Sequence, residues 1–195
     1  TEPQAAFARA VQALEGEGFL RKVRSVNTLV NRFVAYRRDA DNYGVLDHWA
    51  KPQETLARRA GDCEDYAILK LALLERLGVP ASSMSVVILR DESRDLYHAV
   101  LALRTNRGFL ILDNMRDAVL PDTDLPHYLP LYSVSAGKGF IHGRKPGGGD
   151  AGSMVVSSSR LDTVAPGEGP SDTGPLEGQM PTLHTAGQGP VFPLL

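Results

Sequence analysis

Hydrophobic positions in the first half of the chain recur every three or four residues, whereas from residue 84 onward they alternate or run together. Phe7, Ala10, Val11 and Leu14 share one face between Gln4 and Leu14, which predicts a short amphipathic helix interrupted by Gly16 and Gly18. Val23, Val26, Val30, Phe33 and Val34 predict a longer helix from Leu20 to Tyr36. A polar turn spans Arg37 to Gly44, and Pro52, suited to a first helical turn, opens a short helix to Arg59 that Gly61 ends. The run from Cys63 to Leu77 is apolar on nearly all faces except at Lys70, Glu75 and Arg76. It predicts a central buried helix, capped by Asp62 and stopped by Gly78 and Pro80.

The period then changes to that of extended chain. Met84–Arg90, Leu96–Leu103 and Phe109–Asp113 read as an antiparallel meander, with Leu131–Val134 as a last strand. On the second strand Tyr97, Ala99, Leu101 and Leu103 share one face, and His98, Val100 and Ala102 the other. Helices followed by antiparallel strands give an α+β domain over residues 1–143. Residues 144–195, rich in Gly and Pro and poor in core formers, are expected to be a disordered tail.

Bulk properties narrow the function by exclusion. A length of 195 residues with 43% hydrophobic content supports one sizeable core. A formal net charge of -2 gives no electrostatic reason to propose nucleic acid as the main partner. No apolar run approaches the roughly 20 residues that cross a bilayer. A chain beginning at Thr1 is expected to have lost a signal peptide. One cysteine rules out an internal disulfide and leaves the compartment open.

That cysteine lies in Gly61-Asp62-Cys63-Glu64-Asp65-Tyr66-Ala67, at the predicted start of the central helix, where the helix dipole and unpaired N–H groups favour a thiolate. A lone cysteine also fits a small buried hydrophobe. A nucleophilic thiol needs a base, and the base needs an orienting partner. His98 in a strand and Asp113 at the end of the next fit those roles, although a strand histidine or a strand-ending aspartate is also commonly structural, so spacing alone leaves the triad open. Trp49 either walls this site or packs in the core. Asp39-Ala40-Asp41-Asn42-Tyr43-Gly44 superficially resembles the start of an EF-hand loop. Tyr43 at its fifth position and Ala50 at its twelfth argue against one.

Val26-Asn27, Asp47-His48-Trp49-Ala50-Lys51-Pro52-Gln53-Glu54, the Cys63 stretch, His98-Ala99-Val100-Leu101 and Leu112-Asp113-Asn114 together resemble the bacterial transglutaminase-like cysteine proteinases, including their periplasmic LapG-type branch. The match covers about Leu20 to Gly143. The resemblance implies a papain-like/transglutaminase-like α+β fold, with Cys63 as nucleophile, His98 as general base and acid, and Asp113 as its orienting partner. It further implies a calcium ion held by acidic residues at Asp62, Glu64 and Asp65, a periplasmic location, and cleavage of a large surface adhesin near its N-terminus to control biofilm attachment. An inner-membrane cyclic-di-GMP receptor that sequesters the protease is the partner it implies. Two other readings share this fold: a transglutaminase or amidase using the same acyl-thioester, and a non-catalytic binding module.

Overall fold

The computed structural model describes residues 1–143 and the backbone of 152–155. Helices α1 (Glu2–Gln12) and α2 (Phe19–Phe33) bury Phe7, Val11, Val23, Val26 and Val30, the positions picked out by their spacing. Helix α2 ends three residues earlier than its pattern predicts. Val34 turns extended, and Ala35–Tyr36 (β1) pairs in parallel with Ala60–Gly61 (β2). The Ala35 N–H donates to the Arg59 carbonyl and the Arg37 N–H to the Gly61 carbonyl, both at 2.9 Å. These bonds replace the last helical turn and pin the chain just before Cys63.

The polar turn contains one helical turn, α3 (Asp39–Asn42), with Asp39 and Asn42 buried. Helix α4 (Pro52–Arg58) stops at Arg59, which adopts the left-handed conformation at φ 53. Gly61 is therefore not the terminator. Its role is space: a Cβ there would lie 2.7 Å from the Asp65 Cβ. Helix α5 (Cys63–Arg76) follows and buries Tyr66, Ala67, Leu69, Leu73 and Leu74. Burial of each leucine favours folding by about 1.5–3 kcal/mol.

Strands β3 (Met84–Asp91), β4 (Leu96–Thr105) and β5 (Gly108–Leu112) form the predicted meander, extended by β6 (Leu120–Pro121). Strand β7 (Tyr128–Ser135) returns to the far side of β3, and β8 (Lys138–Gly143) and β9 (Gly152–Val155) follow it. The sheet order is β6-β5-β4-β3-β7-β8-β9, and every pairing is antiparallel. One face packs Val86, Ile88, Leu101, Leu103 and Leu112 against the helices. The other packs Leu89, Val100, Ala102 and Ile111 under Leu125. The tail expected from 144 onward lies outside the described residues, apart from the strand at Gly152–Val155. No helix among the described residues is long and apolar enough to cross a membrane.

Candidate active site

Strand alternation places His98 with Val100 and Ala102, on the side where Asp113 leaves β5. The His98 Nε2 and the Asp113 Oδ1 lie 2.8 Å apart, with both side chains buried. Asp113 accepts from every side. The Met115 N–H reaches Oδ1 at 2.9 Å, the Tyr128 hydroxyl donates to Oδ2 at 2.7 Å, and the Arg116 Nε lies 3.3 Å from Oδ2. Burial alone would raise this carboxyl's pKa. The bond and charge of His98, the Met115 N–H and the Tyr128 hydroxyl outweigh burial and hold it well below the usual carboxylate range. With Nε2 engaged, Nδ1 is the ring nitrogen left to exchange a proton.

Cys63 opens α5 and is buried. The N–H of Ala99, the residue after His98, is directed at its sulfur, which joins the helix to the histidine strand. The Cys63 thiol also lies 3.4 Å from Glu64 Oε2. Position at a helix start predicts a lowered pKa, but here the thiol is pushed well up. Burial contributes most, followed by the charges of Glu64 and Asp62, and the Ala99 N–H opposes them only in part. The helix dipole is overridden by burial together with the negative charge of Glu64 and Asp62.

Asp62 occupies the N-cap position but its side chain makes no capping bond. It turns instead toward Asp39 and Glu64, and one ligating oxygen from each of the three lies within 4.8 Å of the others. Asp39 Oδ1, Asp62 Oδ1 and Glu64 Oε1 are buried without a hydrogen-bond partner. Asp39 is pushed up to about 7 by burial and by Asp62, against the His48 N–H that it accepts. Asp62 and Glu64 are also raised, burial again leading. Three clustered carboxylates with orphaned oxygens fit a hard divalent cation. Asp65 stands outside this group: its Oδ1 accepts the Ala50 N–H at 2.9 Å and ties the loop before α4 to α5. Asp39, the position missing from the sequence-based set, opens the stretch that resembles an EF-hand start. Its partners come from 62 and 64 rather than from its own loop. Trp49 packs on the main core and its indole bonds Asp47, so it is not a free donor at the site.

Tyr128 and Arg116 gave no recognisable signal in sequence. Tyr128 reaches Asp113 because β7 crosses back beside β3, whereas Arg116 lies three residues after Asp113 in the same loop. A cleft of about 210 Å³ opens beside His98, lined by Tyr36, Leu96, Tyr97, Asn114 and Met115.

Residues 3–131 match the family model of the bacterial transglutaminase-like cysteine proteinases. The structure resembles Legionella pneumophila LapG at 27% identity and a TM-score of 0.63, covering 70% of this chain and 76% of that one. The calcium-bound form of LapG matches equally, and the EGTA-treated form matches at 26% identity and a TM-score of 0.61, covering 70% of this chain and 74% of that chain. A UPF0252 protein of Archaeoglobus fulgidus is 29% identical over 99 residues, or 51% of this chain, and the chain spans 31% of that protein's length. The fold is transglutaminase-like, a central helix packed on an antiparallel sheet. With its cysteine opening that helix and its histidine bonded to the aspartate that follows β5, the chain belongs to the bacterial transglutaminase-like cysteine proteinases.

Proposed function

We propose that the protein is a calcium-dependent periplasmic cysteine endopeptidase that cuts a large surface adhesin near its N-terminus. The observation that carries the reading is the buried 2.8 Å His98–Asp113 bond beside the Ala99 N–H that points at Cys63. In the proposed reaction the thiol proton passes to His98 Nδ1 while the sulfur attacks the scissile carbonyl carbon. The imidazolium then protonates the leaving nitrogen, the C–N bond breaks, and a thioester remains on Cys63. Water attacks the thioester, His98 takes its proton, and the acid and free thiol are released. Asp113 holds the ring and stabilises the imidazolium. Backbone N–H groups at the start of α5 are the donors proposed to meet the developing oxyanion.

Asp39, Asp62 and Glu64 are the residues proposed to hold calcium. The orphaned oxygens support that set, and a calcium-bound LapG among the similar structures agrees with it. When bound, the ion supplies positive charge that offsets the carboxylates beside the thiol. The periplasmic site, the adhesin substrate and sequestration by an inner-membrane cyclic-di-GMP receptor are proposed from the family likeness.

The test is incubation with N-terminal regions of candidate adhesins, with calcium or EGTA, read by mass spectrometry. Cleavage that needs calcium and is abolished by Cys63→Ala is the expected result. An amine-tagged product in the presence of added amine would reassign the protein as a transglutaminase. Failure of a thiol-directed electrophile to label Cys63 in calcium would make it a binding module.

A further inference from the structure

The cleft of about 210 Å³ beside His98 draws its lining from both halves of the site. Tyr36 comes from β1, where its partner in the parallel bridge is Gly61, two residues before Cys63. Leu96 and Tyr97 precede His98 on β4, and Asn114 and Met115 follow Asp113. Apart from His98, no side chain that carries charge near neutral pH lines the cleft among the described residues. Tyr36 is 52% exposed and Met115 41%, so folding leaves two large side chains of this lining in water. Met115 is nevertheless held in place. Its N–H donates to Asp113 Oδ1 at 2.9 Å, and its Sδ lies 2.7 Å from Arg94 Nη1, whose charge is answered by Asp91 at 3.9 Å. A concave, mainly apolar surface kept open by fixed residues is the form of a binding site. An apolar cavity of about 150 Å³ takes a benzene molecule, so this cleft has room for a leucine or phenylalanine side chain.

The chemistry says which part of a peptide would enter it. In the cleavage proposed above, His98 gives its proton to the leaving nitrogen, so the departing segment runs past His98 and the acyl segment stays with Cys63. We propose that the cleft is a specificity subsite for the residue immediately after the scissile bond, and that it takes a large apolar side chain packed against Leu96, Tyr36 and Met115. The inference rests on the endopeptidase reading.

Digestion of a proteome-derived peptide library in calcium, with the new N-termini read by mass spectrometry, tests it. Leucine and phenylalanine should be enriched at the first position of those termini. Peptides that differ only there should show kcat/KM higher for leucine than for glycine by about 10- to 100-fold. No preference, or a preference for glutamate, overturns the proposal. Met115→Glu keeps the backbone N–H on Asp113 and puts a carboxylate in the cleft, so the kcat/KM ratio of leucine over lysine peptides should fall by about tenfold or more. An unchanged ratio overturns the assignment of the cleft. A second measurement needs no turnover: the NMR methyl resonance of Met115 in the Cys63→Ala protein, titrated with Leu-Gly-Gly amide and with Glu-Gly-Gly amide. The leucine peptide alone should shift it, and no shift, or equal shifts from both, overturns the proposal. If the wild-type protein cleaves nothing while the leucine peptide alone moves Met115, the endopeptidase reading fails and the apolar cleft stands as a peptide-binding site.

Discussion

Asp113→Asn separates two ways in which an aspartate can serve a catalytic histidine. The carboxylate accepts His98 and the Met115 N–H on Oδ1 and the Tyr128 hydroxyl on Oδ2, with the Arg116 Nε 3.3 Å from Oδ2 as an ion pair. An amide must put its NH2 group at one of these positions. At Oδ1 it would face the Met115 N–H, which cannot turn away, and would force the other tautomer on His98. At Oδ2 it faces the Tyr128 hydroxyl, which can rotate to accept, and the Arg116 Nε, whose partly exposed side chain, unlike the Met115 backbone N–H, can swing away. Asparagine should therefore keep its oxygen toward His98, preserve the tautomer and lose only the charge. A charged hydrogen bond contributes about 1.5–3 kcal/mol, which predicts a fall in kcat of about 10- to 150-fold. A flipped tautomer would cost about 10⁴-fold. Steady-state cleavage by purified variants, with folding checked by Tm, distinguishes the two. A loss near 10⁴ refutes the argument from Tyr128 rotation, and no loss refutes the placement of Asp113 in the site. The double variant Asp113→Asn with Tyr128→Phe removes the rotating acceptor and should fall toward the larger figure. Stability gives a second readout. Because the folded-state pKa of Asp113 is depressed, its contribution is present above the unfolded value of about 4 and lost as pH falls below it. Asparagine should flatten that acid dependence.

Alkylation of Cys63 by iodoacetamide should slow by about tenfold or more in EGTA and recover with calcium, and Asp39→Asn should show the slow rate at calcium levels that suffice for the wild type. Asp39 and Asp65 have folded pKa values raised to about 7, so their contribution to stability is greatest below about 4 and is lost as pH rises through 7. Thermal melts in EGTA should therefore give a lower Tm at pH 8 than at pH 5, a difference that calcium reduces, and equal values in EGTA would remove the cluster's charge from the account. Gly61→Ala brings a Cβ within 2.7 Å of the Asp65 Cβ, so it should destabilise by about 1–3 kcal/mol in urea melts. An unchanged midpoint would mean that Asp65 moves aside freely.

The helical face of α2, the interior position of α5 and the β3–β5 meander were legible because each rests on local periodicity. The family was legible because motif order carries the likeness. What escaped depends on contacts between distant segments. The end of α2 at Phe33 is decided by the parallel bridge to Ala60–Gly61, far along the chain. Asp39 joins Asp62 and Glu64 through that same bridge, which brings the α3 turn beside the start of α5. Lys70 is one of three polar positions on an otherwise apolar run, yet it is as deeply buried as Leu69 and Leu74.

The two halves of the site are built to different degrees of completion. Every oxygen of Asp113 is met by donors from β4, β7 and its own loop, so folding alone sets the histidine half. The cysteine half retains three orphaned carboxylate oxygens and a thiol pushed up by burial, Glu64 and Asp62. Glu64 belongs to both features, since one oxygen lies 3.4 Å from the sulfur while the other is among the orphans. A cation engaging Glu64 would then withdraw negative charge from the thiol without moving His98 or Asp113. Control by the ion would fall on the reactivity of the nucleophile, because the geometry of its base is already determined by the fold.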